Sequence, residues 1–387
     1  MSFVREILKD YGSACAKIGS YLSVQNCSTI QEIAKGTGME VSLIHLGLSI
    51  LLQRRIVSYV IYDRSTYYNV DKEMATRRLY FNIYARYVQD RFECYKAFLK
   101  ILLSGTSKIS NCKENVASLV NQGIIKEIAR KDIKFENENS NKRQNVKLFY
   151  VVDFEVLDKL IVDLHMLDFL RERYSNSMRE IYRAVCKSTV VDTANVLTNL
   201  ESTKLLVKDG ISYLNDTANI GEYLKYLCNL GVINKDFDGE SHYKKKIDKC
   251  LDLIKIKEMC LILENNGSRR LLNMFYEIGS LEDSEVGKKS LLPSAEVKNS
   301  IFILHKYGCI NLEYSGEGGK HASIWRFNNK AFSRAITKIV EDTIVETVGS
   351  INEAWETGNI FENESFLIDI SKLHYLAEKH FVLSKTF

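Results

Sequence analysis

The same order of apolar and polar positions occurs four times along the chain. Each copy has a leucine, then four residues that end in Gly or Arg, then two apolar residues. The copies are LLQRRIV from Leu51, LVNQGII from Leu119, LCNLGVI from Leu227 and LHKYGCI from Leu304. Before each leucine, apolar residues recur every three or four positions, which is typical of a helix with one buried face. We call this seven-residue pattern the phrase. It predicts four places where a helix ends and a strand begins directly after it.

Three of these copies place a glycine directly before the strand. Gly123, Gly231 and Gly308 fit a left-handed cap at the end of the helix, because glycine adopts positive φ without steric cost. The first copy has Arg55 there instead, so we expect its cap to be made differently.

Segments before the first phrase predict a helix-turn-helix. Thr29 followed three residues later by Glu32 fits a capping box, and Gly36 and Gly38 mark a tight turn between two helices. Before the fourth phrase, the pattern predicts a helix from about residue 268 to 278 and a short one around 282–289. Pro293, the single proline of the chain, suits the first turn of a third helix.

Each phrase is followed by a candidate two-stranded wing. The first has Asp63, Arg64 and Ser65 as its turn, and the others cross the polar stretches ENENSNKRQN, KDFDGESHY and SGEGGKHAS. A helix-turn-helix followed by a strand pair is the plan of a winged helix. The third copy is the least regular, since one apolar-periodic helix from Phe154 to Val185 leads into an irregular stretch, 188–216.

The predicted fold class is mostly α with small β wings: four tandem winged-helix domains and a helical coiled-coil stalk. The predicted domains are residues 1–70, 71–152, 153–243 and 266–328, with a linker or stalk helix at 244–265 and a C-terminal helical stalk at 329–387. Three apolar stripes predict the stalk. They are Ile247, Leu251, Ile254 and Leu261; Phe332, Ile336, Ile339, Thr343, Thr347 and Ile351; and Leu367, Ile370, Leu373 and Leu376.

Composition narrows the function class. Nine cysteines without a C-x-x-C spacing favour reduced thiols that act as small apolar residues, and hence the cytosol or nucleus. No apolar run approaches the roughly 18 residues of a membrane span. Residues 1–152 carry 23 Lys and Arg against 14 Asp and Glu, whereas the rest carries 30 against 35. This asymmetry suits a protein that offers its first half to a polyanion and its second half to protein partners.

Two stretches carry a family resemblance. They are YLSVQNCSTIQEIAKGTGMEVSLIHLGLSILLQRRIVSY from Tyr21 and RRLLNMFYEIGSLEDSEVGKKSLLPSAEVKNSIFILHKYGCINLEY from Arg269. Together with four winged helices and a stalk, they resemble the large winged-helix subunit of RNA polymerase III, the biggest member of that enzyme's initiation heterotrimer, which is related to the alpha subunit of TFIIE.

The resemblance implies a nuclear, non-catalytic subunit that needs no cofactor. Such a subunit would join two smaller subunits on the polymerase clamp, help recruit the polymerase to promoters and support DNA opening. The alternative is a winged-helix scaffold in another protein complex that binds no nucleic acid, and an enzyme is a more distant alternative.

Candidates for DNA contact lie around the first two wings. Basic side chains can follow phosphates, and tyrosines can stack on unpaired bases. The alternative for each is a structural role, since tyrosines of a hairpin usually pack on the core and charge pairs are usually solvated. The candidates are Arg54, Arg55, Tyr62, Arg64, Tyr67, Arg77, Arg78, Lys142, Arg143 and Lys147, with Tyr59, Tyr68 and Lys244–Lys246 as further members of the same groups.

Neither base reading nor catalysis has a recognisable motif. The helix before the first phrase turns Glu40, Ser42, His45 and Ser49 outward, with no Arg, Asn or Gln fork, so sequence-specific reading of the major groove is not expected. His374 and His380 are six residues apart and lack the spacing of a zinc-binding helix. The glycines of SGEGGKHAS lack the lysine of a phosphate loop. We therefore predict no catalytic residue, metal site or small-molecule substrate.

Overall fold

The computed structural model describes residues 3–25, 27–108, 116–131, 146–187, 217–236, 242–315, 322–356 and 364–385. The chain is mostly helical with small antiparallel sheets, which is consistent with the predicted winged-helix class. The predicted irregular stretch 188–216 and the tips of the last three wings lie outside the described residues.

The described residues form helices α1 to α17, in groups separated by short strands. They are α1 (Phe3–Leu8), α2 (Ser13–Gln25), α3 (Ile30–Thr37), α4 (Val41–Gln53), α5 (Lys72–Thr76), α6 (Phe81–Gln89), α7 (Tyr95–Ser104), α8 (Ala117–Asn121), α9 (Phe154–Arg173), α10 (Asn176–Lys187), α11 (Thr217–Asn229), α12 (Ile247–Ile262), α13 (Asn266–Ile278), α14 (Asp283–Ser290), α15 (Ser294–Lys306), α16 (Asn329–Glu356) and α17 (Glu364–Ser384).

The strands form four small antiparallel sheets, ordered β1-β2, β3-β5-β4, β6-β7 and β8-β10-β9. They are β1 (Val57–Tyr62), β2 (Ser65–Val70), β3 (Ser107–Lys108), β4 (Ile125–Lys131), β5 (Val146–Val152), β6 (Ile233–Asp236), β7 (His242–Lys245), β8 (Ser280–Glu282), β9 (Ile310–Ser315) and β10 (Ala322–Phe327).

Each of the four phrases forms the same junction between a helix and a hairpin. At the first junction, the N–H of Ile56 donates to the carbonyl of Leu51 at 2.9 Å, and the N–H of Arg55 donates to Leu52 at 3.0 Å. This pair of bonds is the Schellman motif, which satisfies carbonyls left free at a helix end. The corresponding bonds at the other junctions come from Gly123 and Ile124, Gly231 and Val232, and Gly308 and Cys309.

Arg55 makes the same left-handed cap as the three glycines. Its φ is 62°, against 72° at Gly123, 74° at Gly231 and 69° at Gly308. The expectation that the first cap would be made differently is therefore wrong. The tertiary environment holds Arg55 in a conformation that disfavours residues with a Cβ atom by about 1–2 kcal/mol.

Each hairpin also closes in the same way. The residue after the second strand donates its N–H to the carbonyl of the sixth residue of the phrase, as Asp71 does to Ile56 at 2.8 Å. The other three bonds run from Asp153 to Ile124, from Lys246 to Val232 and from Asn328 to Cys309, at 2.8, 2.8 and 3.0 Å. The repeat seen in the sequence is thus a repeat of backbone hydrogen bonds.

Helices α2, α3 and α4 pack around an apolar core under the first hairpin. Ile18, Leu22 and Ile44 are fully buried there, as is Ile33 of α3. The predicted capping box is confirmed, because the N–H of Glu32 donates to the Thr29 hydroxyl and that of Thr29 donates to the Glu32 carboxylate. Gly38 is the left-handed cap of α3, with φ 67°.

The helices of the fourth copy follow the sequence prediction closely. Helices α13, α14 and α15 start and end within two residues of the predicted bounds, and Pro293 is the N-cap of α15 rather than a residue of its first turn. The single helix predicted from Phe154 to Val185 is two helices. Its break lies at Tyr174 and Ser175, where the Ser175 hydroxyl accepts the N–H of Met178 and so starts α10.

The stripes predicted for the stalk are partly displaced. Helix α16 buries Phe332, Ile336, Val340, Ile344 and Thr347, so Ile339 and Thr343 lie one position off the buried line. Leu261 of α12 and Leu367 of α17 were predicted to lie on buried stripes, but both are mostly exposed. In α17, Leu376 of the predicted stripe is buried, together with Phe366, Ala377 and residues 380–383, which the stripe did not include.

Proximity of Cα atoms divides the chain into two compact units. The first comprises residues 1–158 and 341–378, and the second comprises residues 159–340 and 379–387. The first two junctions lie in the first unit, and the other two lie in the second.

Candidate interface of the first module

The first hairpin presents an unusually apolar surface. Strands β1 and β2 pair from Val57 opposite Val70 to Tyr62 opposite Ser65. In β1, only Val57 is buried, and Tyr59, Val60, Ile61 and Tyr62 are each more than half exposed. A contiguous exposed apolar strand is typical of a surface that another molecule covers.

The turn of this hairpin is tighter than the sequence predicted. Asp63 and Arg64 are its two central residues, and Ser65 already belongs to β2. Both central residues have positive φ, 45° and 60°, as a type I′ turn requires. Glycine or asparagine is usual at such positions, so Asp63 and Arg64 adopt them at some cost in conformational energy.

Two arginines in left-handed conformations mark the ends of strand β1. Arg55 precedes it and Arg64 follows it, and both side chains are exposed. Within the described part of the chain, neither guanidinium has a carboxylate within 4 Å. Both cations are therefore available to an anionic partner, at positions where the backbone alone would favour glycine.

Arg54 and Arg78 both make contacts within the first compact unit. The Arg54 guanidinium is half-buried and lies 5.9 Å from the centre of the Tyr11 ring. Arg78 lies 3.2 Å from the Asp10 carboxylate and 5.1 Å from the centre of the Phe81 ring. Burial raises the pKa of Tyr11, and the two arginines partly oppose that rise. An anion could reach these arginines only at their exposed edges.

Arg77 is not available for DNA contact, which corrects the prediction from the sequence. Its side chain is 5% exposed and donates to Asp158 at 3.0 Å and to Glu73 at 2.6 Å. The guanidinium also lies 4.7 Å from the centre of the Phe154 ring. A phosphate contact would break this buried network, so Arg77 has a structural role.

The Asp158 carboxylate receives a second buried donor. The hydroxyl of Tyr84 donates to it at 2.7 Å. Burial raises the pKa of Tyr84 well above its usual value, and the negative charge of Asp158 raises it further. Burial alone would lower the pKa of Arg77, but Tyr84, Asp158 and Glu73 raise it overall. Tyr84 therefore donates as a neutral phenol, and Arg77 stays a guanidinium cation.

The tyrosines of the first hairpin divide into two groups. Tyr68 is half-buried and packs on the apolar core, and its ring centre lies 6.5 Å from that of Tyr59 on the facing strand. Tyr67 is also half-buried, whereas Tyr62 is 73% exposed. The structural alternative therefore holds for Tyr68, and Tyr62 has the most accessible ring for stacking.

The structure describes only some of the basic candidates of the second and third hairpins. Lys142 and Arg143 lie outside the described residues, as does the side chain of Lys147 in β5. In the third hairpin, Lys245 contacts Asp163 at 2.5 Å, and Lys246 is exposed.

Helix α4 has an exposed apolar face that sequence reasoning missed. Val41, Leu43 and Leu46 are 43–60% exposed. They lie off the buried line of Ile44, Leu48 and Leu51, which is the signal that could have found them. Glu40, Ser42, His45 and Ser49 are also exposed, as predicted. A helix with this mixture suits contact with protein better than contact with base edges.

No group of three or more His, Cys, Asp or Glu side chains is arranged to hold a metal ion within the described ranges. None of the helices described is long and apolar enough to span a bilayer. Burial raises the pKa of the Cys186, Cys250 and Cys309 thiols to about 12, which disfavours their reactive thiolate form.

Comparison with known families gives one match. Residues 2–62 match the family model described as the RNA polymerase III subunit RPC82 helix-turn-helix domain. The matched segment runs from α1 to the end of β1 and so includes α4, Arg55 and the exposed strand. No curated protein matches the chain. The match supports an RPC82-like subunit of RNA polymerase III and confirms the resemblance seen in the sequence: residues 2–62 are similar to the RPC82 helix-turn-helix domain.

Proposed function

We propose that the chain is a non-catalytic subunit of RNA polymerase III that acts in the nucleus by docking and by non-specific DNA contact. It assembles with two smaller subunits on the polymerase clamp and supports promoter recruitment and DNA opening. Each junction of helix and hairpin ends one of four tandem winged-helix modules, and the helices after residue 329 form the stalk. The match of residues 2–62 to the RPC82 domain is the observation that carries this proposal.

DNA contact is assigned to the first hairpin and the loop of the second. In the first hairpin, exposed Arg55 and Arg64 bracket β1, Tyr62 is the accessible ring, and Arg54, Tyr67 and Arg78 lie beside them. Lys142, Arg143 and Lys147 extend the contact on the second hairpin. Residues in costly backbone conformations cluster at functional sites. The other three junctions have glycine at the position of Arg55. We infer that contact of the Arg55 side chain with DNA offsets the conformational energy of its positive φ.

A second candidate function is a winged-helix scaffold without nucleic-acid contact. The exposed face of Val41, Leu43 and Leu46 favours it, as do the apolar side chains of β1. These surfaces suit protein docking under either proposal. The two functions therefore differ in which complex the chain joins and in whether the arginines contact phosphates.

Purification of the tagged full chain from its native cells, with identification of bound proteins, tests the polymerase assignment. We expect the subunits of RNA polymerase III. Recovery of other complexes without polymerase subunits would support the scaffold, and would end the polymerase proposal.

A double variant, Arg55→Gly with Arg64→Gly, tests DNA contact by the hairpin. Glycine suits the positive φ of both positions, so the variant removes two cations and leaves the backbone intact. We expect weaker binding of duplex DNA and a shallower salt dependence, by about 0.9 in the log–log slope per lost phosphate contact. Arg334→Ala, which removes an exposed arginine of α16, is the control. Equal effects of the two variants would exclude the hairpin as a specific contact.

A further inference from the structure

A second surface of the first module has the features of a ligand site. An open groove of about 430 Å³ lies beside α1, α2 and the end of α3. Its volume falls within the roughly 300–1,000 Å³ of ligand pockets. Arg5, Lys17, Tyr21, Gln25 and Gly36 are among the residues that line it. By contrast, the cavity under the first hairpin, beside Arg54 and Arg77, has only about 20 Å³.

The groove is positively charged without local compensation. Arg5 and Lys17 are both exposed, and no carboxylate of the described residues lies within 4 Å of either. None of the described residues that line the groove is acidic. The neighbouring Glu6 is buried and pairs with Lys9 at 2.6 Å, so its charge is already matched. An anion in the groove would meet two unpaired cations.

One wall of the groove is an aromatic ring. A Cβ atom at Gly36 would lie 2.1 Å from Cε2 and 2.8 Å from Cζ of Tyr21. The ring therefore packs against the backbone of Gly36, and a larger residue there would displace the ring. Gly36 lies in the last turn of α3, whereas the sequence placed it in the turn after that helix. The ring is half-buried, and its remaining surface faces the groove.

We propose that this groove binds single-stranded nucleic acid, with backbone phosphates on Arg5 and Lys17 and a base stacked on Tyr21. The choice of nucleic acid rests on the proposed function. Cationic grooves combined with aromatic platforms are the usual means of binding single strands without sequence preference. An acidic peptide would use the two cations but would gain little from a fixed ring. The groove is distinct from the first hairpin, so the module has two separate nucleic-acid contacts.

Fluorescence anisotropy of the full chain with a labelled oligothymidylate, measured across a series of salt concentrations, tests the groove. For the double variant Arg5→Ala with Lys17→Ala, we expect roughly tenfold weaker binding. The log–log salt slope should fall in magnitude by about 1.4, which is 0.7 for each phosphate of a single strand. Lys298→Ala removes an exposed, unpaired lysine of α15 and is the matched control, with the affinity of the unmodified chain.

Tyr21 variants separate stacking from charge. Tyr21→Phe keeps the ring and should retain affinity, whereas Tyr21→Leu should weaken binding at least about fivefold, as loss of one stacked base does. The thermal melting temperature of each variant shows whether the module still folds. If Tyr21→Leu lowers it, crosslinking of the oligonucleotide to Tyr21 in the unmodified chain, followed by peptide mapping, replaces that variant.

Four outcomes would overturn the proposal: no binding of the oligonucleotide at low salt, an unchanged slope in the double variant, an equal loss in Lys298→Ala, or crosslinks that avoid the groove. Displacement of the oligonucleotide by polyglutamate at equal charge concentration would point to an acidic peptide instead and would also overturn it. If the groove does not bind the oligonucleotide, the tagged chain can still recover polymerase subunits. The groove proposal and the polymerase proposal can therefore be rejected independently.

Discussion

The first and fourth modules share one backbone plan but support their hairpins differently. In the fourth module, β8 pairs with β10 over three residues, from Ser280 opposite Arg326 to Glu282 opposite Ile324. In the first module, the corresponding support among the described residues is one bridge, between Ser28 and Tyr68. The fourth hairpin therefore belongs to a small sheet, whereas the first extends from its helices with little lateral pairing.

The same two hairpins also differ in which residues have positive φ, a backbone conformation that is strained for residues other than glycine. Among the described residues, the first has Arg55, Asp63 and Arg64 at positive φ, and the fourth has Gly308 at its junction, with its tip outside the described residues. In the fourth hairpin, the Trp325 indole binds within the module, where it donates to Asp283 at 2.8 Å. Side chains of the first hairpin project outward from β1. We infer that one plan serves two purposes: contact with other molecules in the first module and rigidity in the fourth.

The largest effect should come from the buried network that follows the first hairpin. Arg77→Met removes the guanidinium from the buried Asp158 carboxylate, which keeps the Tyr84 hydroxyl as a donor. Breaking a buried ion pair in this way costs about 3–5 kcal/mol. Urea denaturation of the full chain should show the loss in the transition that includes residues 1–158. Adding Asp158→Leu should recover part of it, because no buried charge then remains.

Arg91→Met is the control for this prediction. Arg91 is an exposed arginine whose guanidinium lies 4.5 Å from the centre of the Tyr87 ring, so its removal should cost about 0.5–1 kcal/mol. If both variants lose the same free energy of unfolding, the Arg77–Asp158 network does not stabilise the unit that contains the first hairpin. The comparison with the fourth module then rests on the pairing of β8 with β10.

A smaller loss should follow from Gly308→Ala in the fourth module. The new Cβ would meet the Cβ of Ala331 at 3.8 Å, an ordinary contact, so the effect isolates the strain of positive φ. We expect the free energy of unfolding to fall by about 1–2 kcal/mol. Gly349→Ala, in helix α16 with open space around it, should raise that free energy by up to about 1 kcal/mol. A loss at both positions would contradict the assignment of strain to the junction.

The junctions show how far the sequence predicts this fold. The leucine, the glycine and the two following apolar residues report local backbone geometry, so helix ends, hairpins and the Thr29 capping box could be predicted. Arg55 could not, because its conformation is imposed by the rest of the junction against its own preference. The break at Ser175 had a weak local signal, a capping hydroxyl within an otherwise continuous apolar pattern.

The candidate site was less predictable than the fold. Arg77 and Arg78 are adjacent and alike in sequence, yet Arg77 is buried on Asp158, which is 81 residues away along the chain. Such a partner leaves no local trace. The groove of Arg5 and Lys17 was missed for a similar reason, since its lining comes from three different helices, α1, α2 and α3. The apolar run from Tyr59 to Tyr62 in β1 also gave no sign that these residues would be exposed.

Arg55→Gly should change stability in the opposite direction from Gly308→Ala. Glycine removes the strain at φ 62° but increases the freedom of the unfolded chain, so we expect a net gain of about 0.5–1 kcal/mol. Arg54→Gly is the matched control. Its φ of −83° needs no glycine, so that change should destabilise the chain. A loss in Arg55→Gly as large as that in Arg54→Gly would mean that the Arg55 side chain stabilises the module itself, and would remove the argument that it is kept for a partner.

The smallest effect tests what holds the fourth hairpin in place. Trp325→Phe keeps an aromatic ring beside His305, whose ring centre lies 5.8 Å away, and removes the hydrogen bond to Asp283. The bond is exposed, so we expect a loss of about 0.5–1 kcal/mol. Asp283 also lies in the first turn of α14, where a carboxylate favours the helix, so a double-mutant cycle with Asp283→Ala is needed to isolate the pair. A coupling energy near zero between Trp325 and Asp283 would mean that their hydrogen bond does not stabilise the hairpin. The three residue pairs of β8 and β10 would then be what holds it in place. The difference between the two modules would then lie in backbone pairing and not in side chains.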